Sequence, residues 1–419
     1  MKTKTITRLL AIAAALFILH FSFFISRAAA QKRPELAPTP PMGWNSWNWY
    51  GPKVTEPDVV AAIDILASSG LRDAGYNYIV IDGGWREDFL DADGKLLPSA
   101  DRFPRGMKWL AEYAHSKGFK FGLHIVPGRY DCRGNRIGSY GNEQTHLAQF
   151  LDWKLDFLKL DRCTLAKAGD NDPGGWTPAR VRKEYTKWSE IFRNCGRDIL
   201  LSVSNYKFTD WYPELSNMGR TTGDINAHYR GGAEFDKGEN KSPEKPSWGW
   251  SVMAIADTNN QHAKHAGNGY WNDAEMLVTG DPNLTHEEQK AHFALWCVMS
   301  APLFLGNDPR LMTPEELALI SNRELIAINQ DPTEQGSRIL SANGAEVWMK
   351  KLRNNEYAIL LLNRHRAPGE ITVNFEKLGL PKTMRVRNLY DKKDLGEKTD
   401  LTAKFPTRDS LFIKATPIK

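Results

Sequence analysis

The chain reads as an α/β protein: a (β/α)8 TIM barrel followed by a C-terminal antiparallel β-sandwich domain. Three observations lead there. Strand-like and helix-like stretches alternate eight times between Met42 and Ile328, and repeated βα units imply a parallel sheet that eight members close into a barrel. No GxGxxG stands at the first strand-to-helix turn, which argues against a doubly wound open sheet. From about Asp331 the helical periodicity stops, and short strands between Gly and Pro turns take over. The expected division is a leader over 1–30, the barrel over 31–330 and the β domain over 331–419.

Pro38-Thr39-Pro40-Pro41 is a stiff lead into the first strand, Met42 to Trp47. Thr55 caps a helix to Ser69, with Pro57 in its first turn. Tyr76 to Trp85 is the second strand and Met107 to Lys117 its helix, stopped near Gly118. Lys120 to Val126 is the third strand, followed by a short helix from His146 to Trp153. Leu155 to Cys163 contains the fourth strand. The longest clean helix, Ala179 to Cys195, ends at Gly196. Ile199 to Ser204 is the fifth strand, Trp211 to Asn217 a short helix, and Gly219 to Asp224 the sixth strand. A polar loop runs from Tyr229 to Lys245, then a helix from Trp250 to His262. Tyr270 to Leu277 is the seventh strand, and Thr285 caps a helix from His286 to Met299. Pro302 to Leu305 is the eighth strand, and Thr313 to Ile328 a last helix broken near Ser321. In the tail, Ala345–Lys350, Tyr357–Leu362, Glu370–Val373, Met384–Leu389 and Ser410–Ile413 have strand patterning.

Of 419 residues, 25% are charged and 41% hydrophobic, as in ordinary globular proteins. Lys+Arg is 55 and Asp+Glu 50, a net charge of +5. Lys2, Lys4, Arg8 and Arg27 fall in the first thirty residues, so the remainder is nearly neutral and offers no case for nucleic acid. Basic residues, an apolar run from Leu9 to Ile25, and Ala28-Ala29-Ala30 read as a secretory signal. An exported protein, periplasmic or secreted, with no stable membrane insertion after signal cleavage, is expected. An uncleaved anchor is the alternative, since the apolar run approaches spanning length. Export permits disulfides. Cys132 and Cys163 each follow a predicted strand, and a staple between them is expected. Cys195 and Cys297 lie in helical patterns and read as small buried hydrophobes.

In Phe157-Leu158-Lys159-Leu160-Asp161, alternation sends Phe157, Lys159 and Asp161 to one side of the fourth strand. An ammonium beside a carboxylate favours its ionised form, which suits a nucleophile. Asp82, Asp224 and Asp273 also fall on or at the ends of strands, where a barrel carries its chemistry. Trp44, Trp47, Trp85, Tyr206 and Trp271 accompany them; flat rings suit the apolar faces of sugars, and Trp47 and Trp85 are the rings best placed for that role. No HExxH, histidine triplet at ligand spacing, GxSxG or Walker loop is present. The remaining pattern is a pair of acids of the kind that glycosidic bonds need. Asp161 suits the ionised role and Asp224 the proton donor, with Asp273 the alternative donor.

Several motifs together resemble the family of retaining α-galactosidases and α-N-acetylgalactosaminidases, glycoside hydrolase family 27. They are Thr39-Pro40-Pro41-Met42-Gly43-Trp44-Asn45-Ser46-Trp47, Lys159-Leu160-Asp161-Arg162-Cys163, Arg220 with Asp224, Trp271-Asn272-Asp273-Ala274-Glu275-Met276-Leu277, Ala301-Pro302-Leu303-Phe304-Leu305-Gly306-Asn307-Asp308 and Ile326-Ala327-Ile328-Asn329-Gln330-Asp331-Pro332. The resemblance implies a (β/α)8 barrel and a covalent glycosyl-enzyme on Asp161, with Asp224 as acid/base. It implies Trp47, Asp82, Lys159 and Arg220 as sugar-binding positions and a Cys132–Cys163 disulfide beside the pocket. No metal or organic cofactor is expected, and the expected partner is an oligo- or polysaccharide. Three pocket positions depart from the galactose-specific pattern: Gly83 replaces a second aspartate, His124 a tyrosine, and Val203-Ser204-Asn205 a Cys-Glu-Trp. His124 and Ser204 are therefore expected to contact substrate in their own way. An α-N-acetylgalactosaminide, a β-L-arabinopyranoside or an α-glucoside stays open as the substrate, and a non-catalytic glycan-binding protein is the remaining alternative.

Overall fold

The computed structural model describes residues 33–167, 170, 175–229 and 249–418. The expected leader and most of the Tyr229–Lys245 loop lie outside the described residues. Eight strands form one parallel sheet: β1 (Met42–Asn45), β2 (Tyr78–Ile81), β3 (Lys120–Ile125), β4 (Phe157–Asp161), β5 (Leu200–Ser204), β6 (Met218–Arg220), β7 (Trp271–Asp273) and β8 (Leu303–Leu305). Their spatial order is β8-β1-β2-β3-β4-β5-β6-β7. The ring closes through a parallel bridge between Leu277 and Leu305, where Leu277 N donates to Phe304 O at 2.7 Å.

The outer helices follow from their caps and apolar stripes. The helix Glu56–Ser68 starts in a capping box, with Thr55 N donating to Asp58 Oδ2 at 3.0 Å. It buries Val59, Ala62, Ile63 and Leu66, the i, i+3, i+4, i+7 face. The helix Pro178–Asn194 is capped by Thr177 and buries Val181, Tyr185, Trp188 and Phe192 at the same periodicity. Inside the barrel, the rings of Tyr78, Phe157 and Phe304 meet with centroids 5.5–6.3 Å apart. They form an apolar floor below the polar mouth, and Phe157, Lys159 and Asp161 of β4 climb from that floor to the mouth.

The C-terminal region holds a six-stranded antiparallel sheet and a two-stranded ribbon. In spatial order the sheet runs Ser337–Ala342, Ala345–Lys351, Tyr357–Asn363, Asp409–Pro417, Met384–Asn388, Lys393–Lys398; the ribbon is Gly369–Asn374 with Asp400–Phe405. Ile359 and Leu361 face the ribbon's Ile371, Val373 and Phe405. The alternating Ala358, Leu360 and Leu362 instead join the barrel's core. The central strand is thus buried on both faces, which explains its unbroken apolar run. The helix His286–Val298 lies under this sheet and is buried on nearly every side.

Charged groups lock this junction. Lys350 Nζ donates to Ser300 Oγ, Ile328 O and Asp331 O at 2.6–2.8 Å, and Arg408 pairs with Glu288 at 2.8 Å. Asp257, on the helix Val252–Asn260, accepts from Arg364 and Arg338 of the β domain. Burial alone would raise the Asp257 carboxyl, but the two guanidiniums hold it below its ordinary value. Its contribution is therefore complete above the unfolded value near ~3.9 and is lost as pH falls through the lower folded one. Asp257→Asn is expected to cost about 2 kcal/mol at pH 7, with the gap to wild type narrowing in acid; urea melts at pH 7 and pH 3 read this.

The expected elements differ from the structure in a few places. The helix after β3 begins at Glu143 rather than His146. The seventh strand ends at Asp273 because Glu275 takes φ +74° and breaks the ladder. A hairpin, Arg86–Leu90 with Leu96–Pro98, escapes the sequence reading because its first strand groups three charges before Phe89 and Leu90 and so lacks a period-two pattern. The strands Ser337–Ala342 and Lys393–Lys398 are largely exposed and carry no period-two apolar pattern, whereas Asp400–Phe405 turns Leu401, Ala403 and Phe405 inward in alternation and is a strand that the sequence reading leaves out. Cys297 is buried as expected, whereas Cys195 sits half-buried at a helix end.

Candidate active site

A cavity of about 370 Å³ opens at the C-terminal ends of the barrel strands. Strand ends supply its acids: Asp82 after β2, Asp161 at the tip of β4, and Asp224 in the turn after β6. Trp47, His124, Lys159 and the Cys132–Cys163 disulfide complete the set that the sequence reading brings together here.

Asp82 is the most firmly held. Its Oδ2 accepts from Lys159 Nζ at 2.7 Å and Asn45 Nδ2 at 3.0 Å, and its Oδ1 accepts from Gly83 N at 2.8 Å. Burial opposes its charge, yet Lys159 and His124 bring its carboxyl well below the usual range. Lys159 is correspondingly raised against its own desolvation, chiefly by Asp82. Asn45 also fixes Trp47, whose backbone N–H donates to Asn45 Oδ1 at 2.9 Å. One amide thus orients both an acid and an aromatic ring.

Asp161 is 14% exposed. Burial would raise its carboxyl, but the hydrogen bond and charge of His124, with Lys159, hold it below the ordinary value. Its Oδ1 accepts from Arg162 N at 2.8 Å, and His124 Nε2 stands 3.4 Å from Oδ2. Asp224 is more open, at 37%. Arg220 Nη2 donates to Asp224 Oδ1 at 3.2 Å, while Arg220 Nη1 pairs with buried Glu275. One carboxylate is thus enclosed and kept ionised, and the other faces solvent on an arginine tether. Three non-glycine residues around this mouth, Cys163, Tyr206 and Glu275, have positive φ, the kind of backbone cost that functional sites retain.

Four of the expected substrate contacts do not line this cavity. Trp85 is fully buried; its Nε1 donates to His124 O at 2.9 Å and its ring meets Trp153 edge-on. The strand stops at Ile81 and the Gly83-Gly84 turn, with φ +97° at Gly84, turns Trp85 inward. Arg220 is buried behind the wall, where it donates to Asp224. Asp273 is also buried, its Oδ1 accepting from Glu275 N at 2.8 Å. Ser204 is buried off the cavity, and Tyr206, two residues on, takes the wall position instead. The Tyr206 ring lies 5.3 Å from the Arg162 guanidinium. Sequence reasoning assigned no site role to Asn45, Arg86, Asp131, Arg133 or Glu275. Asn45 had a signal, since it sits inside the Trp44–Trp47 motif.

The disulfide closes a separation of 31 residues and forms part of the cavity wall. A loop of that length corresponds to about 3–4 kcal/mol of chain-entropy stabilisation. The same covalent link fixes Cys163 two residues beyond Asp161.

A parallel barrel with two unlike carboxylates, a fixed lysine and an aromatic ring converging at its strand ends defines a glycosidase. Residues 39–331 match the alpha galactosidase A family, and residues 342–415 its C-terminal beta sandwich domain. The chain belongs to this family. An alpha-galactosidase of rice is 33% identical over 400 residues, spanning 94% of this chain and 88% of its own. Alpha-galactosidase A of Cellvibrio japonicus is 36% identical over 343 residues, 81% and 79% of the two chains. The crystal structure of alpha-galactosidase I from Mortierella vinacea superposes with a TM-score of 0.82 at 30% identity, covering 92% of this chain and 98% of that one.

Proposed function

We propose that the protein is a retaining α-galactosidase that releases terminal α-linked galactose from oligo- or polysaccharides, with Asp161 as nucleophile and Asp224 as acid/base. The observation that carries this reading is the pairing, on one cavity, of an enclosed ionised carboxylate with an open one. Asp161 attacks the anomeric carbon from one face while Asp224 passes its proton to the departing glycosidic oxygen. The C–O bond to the aglycone breaks as the bond to Asp161 Oδ forms. Asp224, now a carboxylate, takes a proton from water, which attacks the same carbon and releases Asp161. Two inversions give net retention. Asp82, with its charge fixed by Lys159, is a strong acceptor for sugar hydroxyls, and Trp47 offers a flat apolar surface.

Proton NMR of the first product from an aryl α-galactoside is expected to show the α-anomer before mutarotation. First-formed β-anomer would mean inversion, and carboxylates set about 6.5–9.5 Å apart rather than about 5–5.5 Å. A panel of aryl α-N-acetylgalactosaminide, β-L-arabinopyranoside and α-glucoside ranks the other sugars that the barrel could accept. We further propose that residues 1–30 export the chain. Among the described residues no helix is long and apolar enough to cross a membrane.

A further inference from the structure

The hairpin that leaves β2 carries a guanidinium to the cavity wall that the mechanism leaves unused. Arg86 is only 3% exposed and lines the cavity. Among the described residues its guanidinium makes one hydrogen bond, a long one from Nη1 to Ile137 O at 3.4 Å, and lies 5.6 Å from the Trp85 ring. No carboxylate among the described residues comes within 4.0 Å of it. The strongest acidic influence on it, Asp131, is committed elsewhere: it accepts from Arg133 N at 3.0 Å and Asn135 N at 2.8 Å and faces Arg133 Nε at 3.5 Å.

The other charges around the cavity are also matched. Lys159 is held by Asp82, Asp224 by Arg220, and Arg133 by Asp88 at 2.7 Å. Burial, reinforced by Arg133, pushes Arg86 down to about 10 despite Asp131, Asp82 and Asp88. Burying a guanidinium without an ion pair is costly. Between Asp82 and Arg86 the wall has Gly83 and Gly84, which put no side chain of their own between the two charges. A Cβ at Gly83 would come within 3.1 Å of the Trp47 ring, which occupies that space.

We propose that Arg86 binds an oxyanion, a carboxylate or a sulfate ester, on the sugar unit that enters this cavity, making acidic α-galactosides the preferred substrate class. The assignment rests on the galactosidase reading of the site and adds to it the charge of the substrate. A guanidinium presents parallel N–H donors that match either oxyanion, and the closed wall limits screening by salt.

The test compares kcat/KM for 4-nitrophenyl α-D-galactopyranoside, its galacturonide counterpart and its 6-O-sulfate, using the full chain. At least one anionic substrate is expected to exceed the neutral one by about tenfold or more, and the better of the two identifies the oxyanion. Arg86→Gln is expected to lower the anionic-to-neutral ratio by about tenfold or more, with partial rescue in Arg86→Lys. A neutral preference together with a ratio unmoved by Arg86→Gln overturns the assignment. Should Arg86→Gln fail to fold, inhibition of the wild type decides. Galacturonate is expected to inhibit about tenfold more strongly than galactose, and equal or weaker inhibition counts against Arg86. Cleavage of the neutral substrate alone defeats only this assignment, whereas no cleavage of any α-galactoside defeats the reading beneath it as well.

Discussion

Asp161→Asn is expected to lower kcat on an aryl α-galactoside by at least about 10⁴-fold while leaving the fold intact. The amide occupies the same volume but offers no anionic oxygen to attack carbon. Its immediate surroundings tolerate the change, because Lys159 remains paired with Asp82 at 2.7 Å and Arg162 N can donate to the amide oxygen as it does to Asp161 Oδ1. Lys159 keeps its partner and His124 Nε2, 3.4 Å from Oδ2, still meets a polar group, so the loss is chiefly chemical rather than structural. Steady-state kinetics and a thermal melt measured together separate the two. Near-wild-type turnover in a folded Asp161→Asn protein would remove the nucleophile from the proposed position.

Arg220→Met is expected to cost about 3–5 kcal/mol of stability and to lower kcat at least tenfold. Arg220 is 1% exposed and bonds both to Glu275, itself buried, and to Asp224. Its removal strands the Glu275 carboxylate. Burial already raises that carboxyl, and the Arg220 charge is the main counterweight. Without the guanidinium the folded value rises further. The folded state then binds more protons than the unfolded state, so this contribution is complete below the unfolded value near ~4.3 and is lost as pH rises from there through the raised folded one. Adding Glu275→Gln is expected to restore most of the stability, since the stranded charge disappears. Activity is not expected to return, because Asp224 still lacks the donor at 3.2 Å that orients it. Equal stability of Arg220→Met and wild type in urea melts would show that this pair does not hold the wall.

The architecture was legible because a barrel imposes two periods on the chain. Val59, Ala62, Ile63 and Leu66 mark one helix face at the 3.6 period, and Phe157, Lys159 and Asp161 mark the inward face of β4 at period two. Asp161 was legible for the same reason, at the tip of its strand, whereas the strand expected to end at Asp224 stops at Arg220 and leaves that acid in the following turn. Trp85 was misread because period two was carried past Ile81 into a glycine turn, where it no longer applies. That turn buries Trp85 and presents Arg86, a position without apolar patterning to mark it. Tyr206 was seen as a ring but not placed, since φ +58° puts it on the wall by a backbone state that spacing does not encode. Glu275 and Asn45 work from behind the lining residues, so their roles appear only once their partners are close in space.

The central claim is that Asp161 becomes covalently joined to the sugar during turnover. Incubating the full chain with a fluorinated α-galactosyl fluoride that slows release, followed by proteolysis and mass spectrometry, tests it most directly. The expected result is one fluorogalactosyl unit on the peptide carrying Asp161 and none on the others. A label on Asp82 or Asp224, or steady cleavage with no covalent species at all, would contradict it.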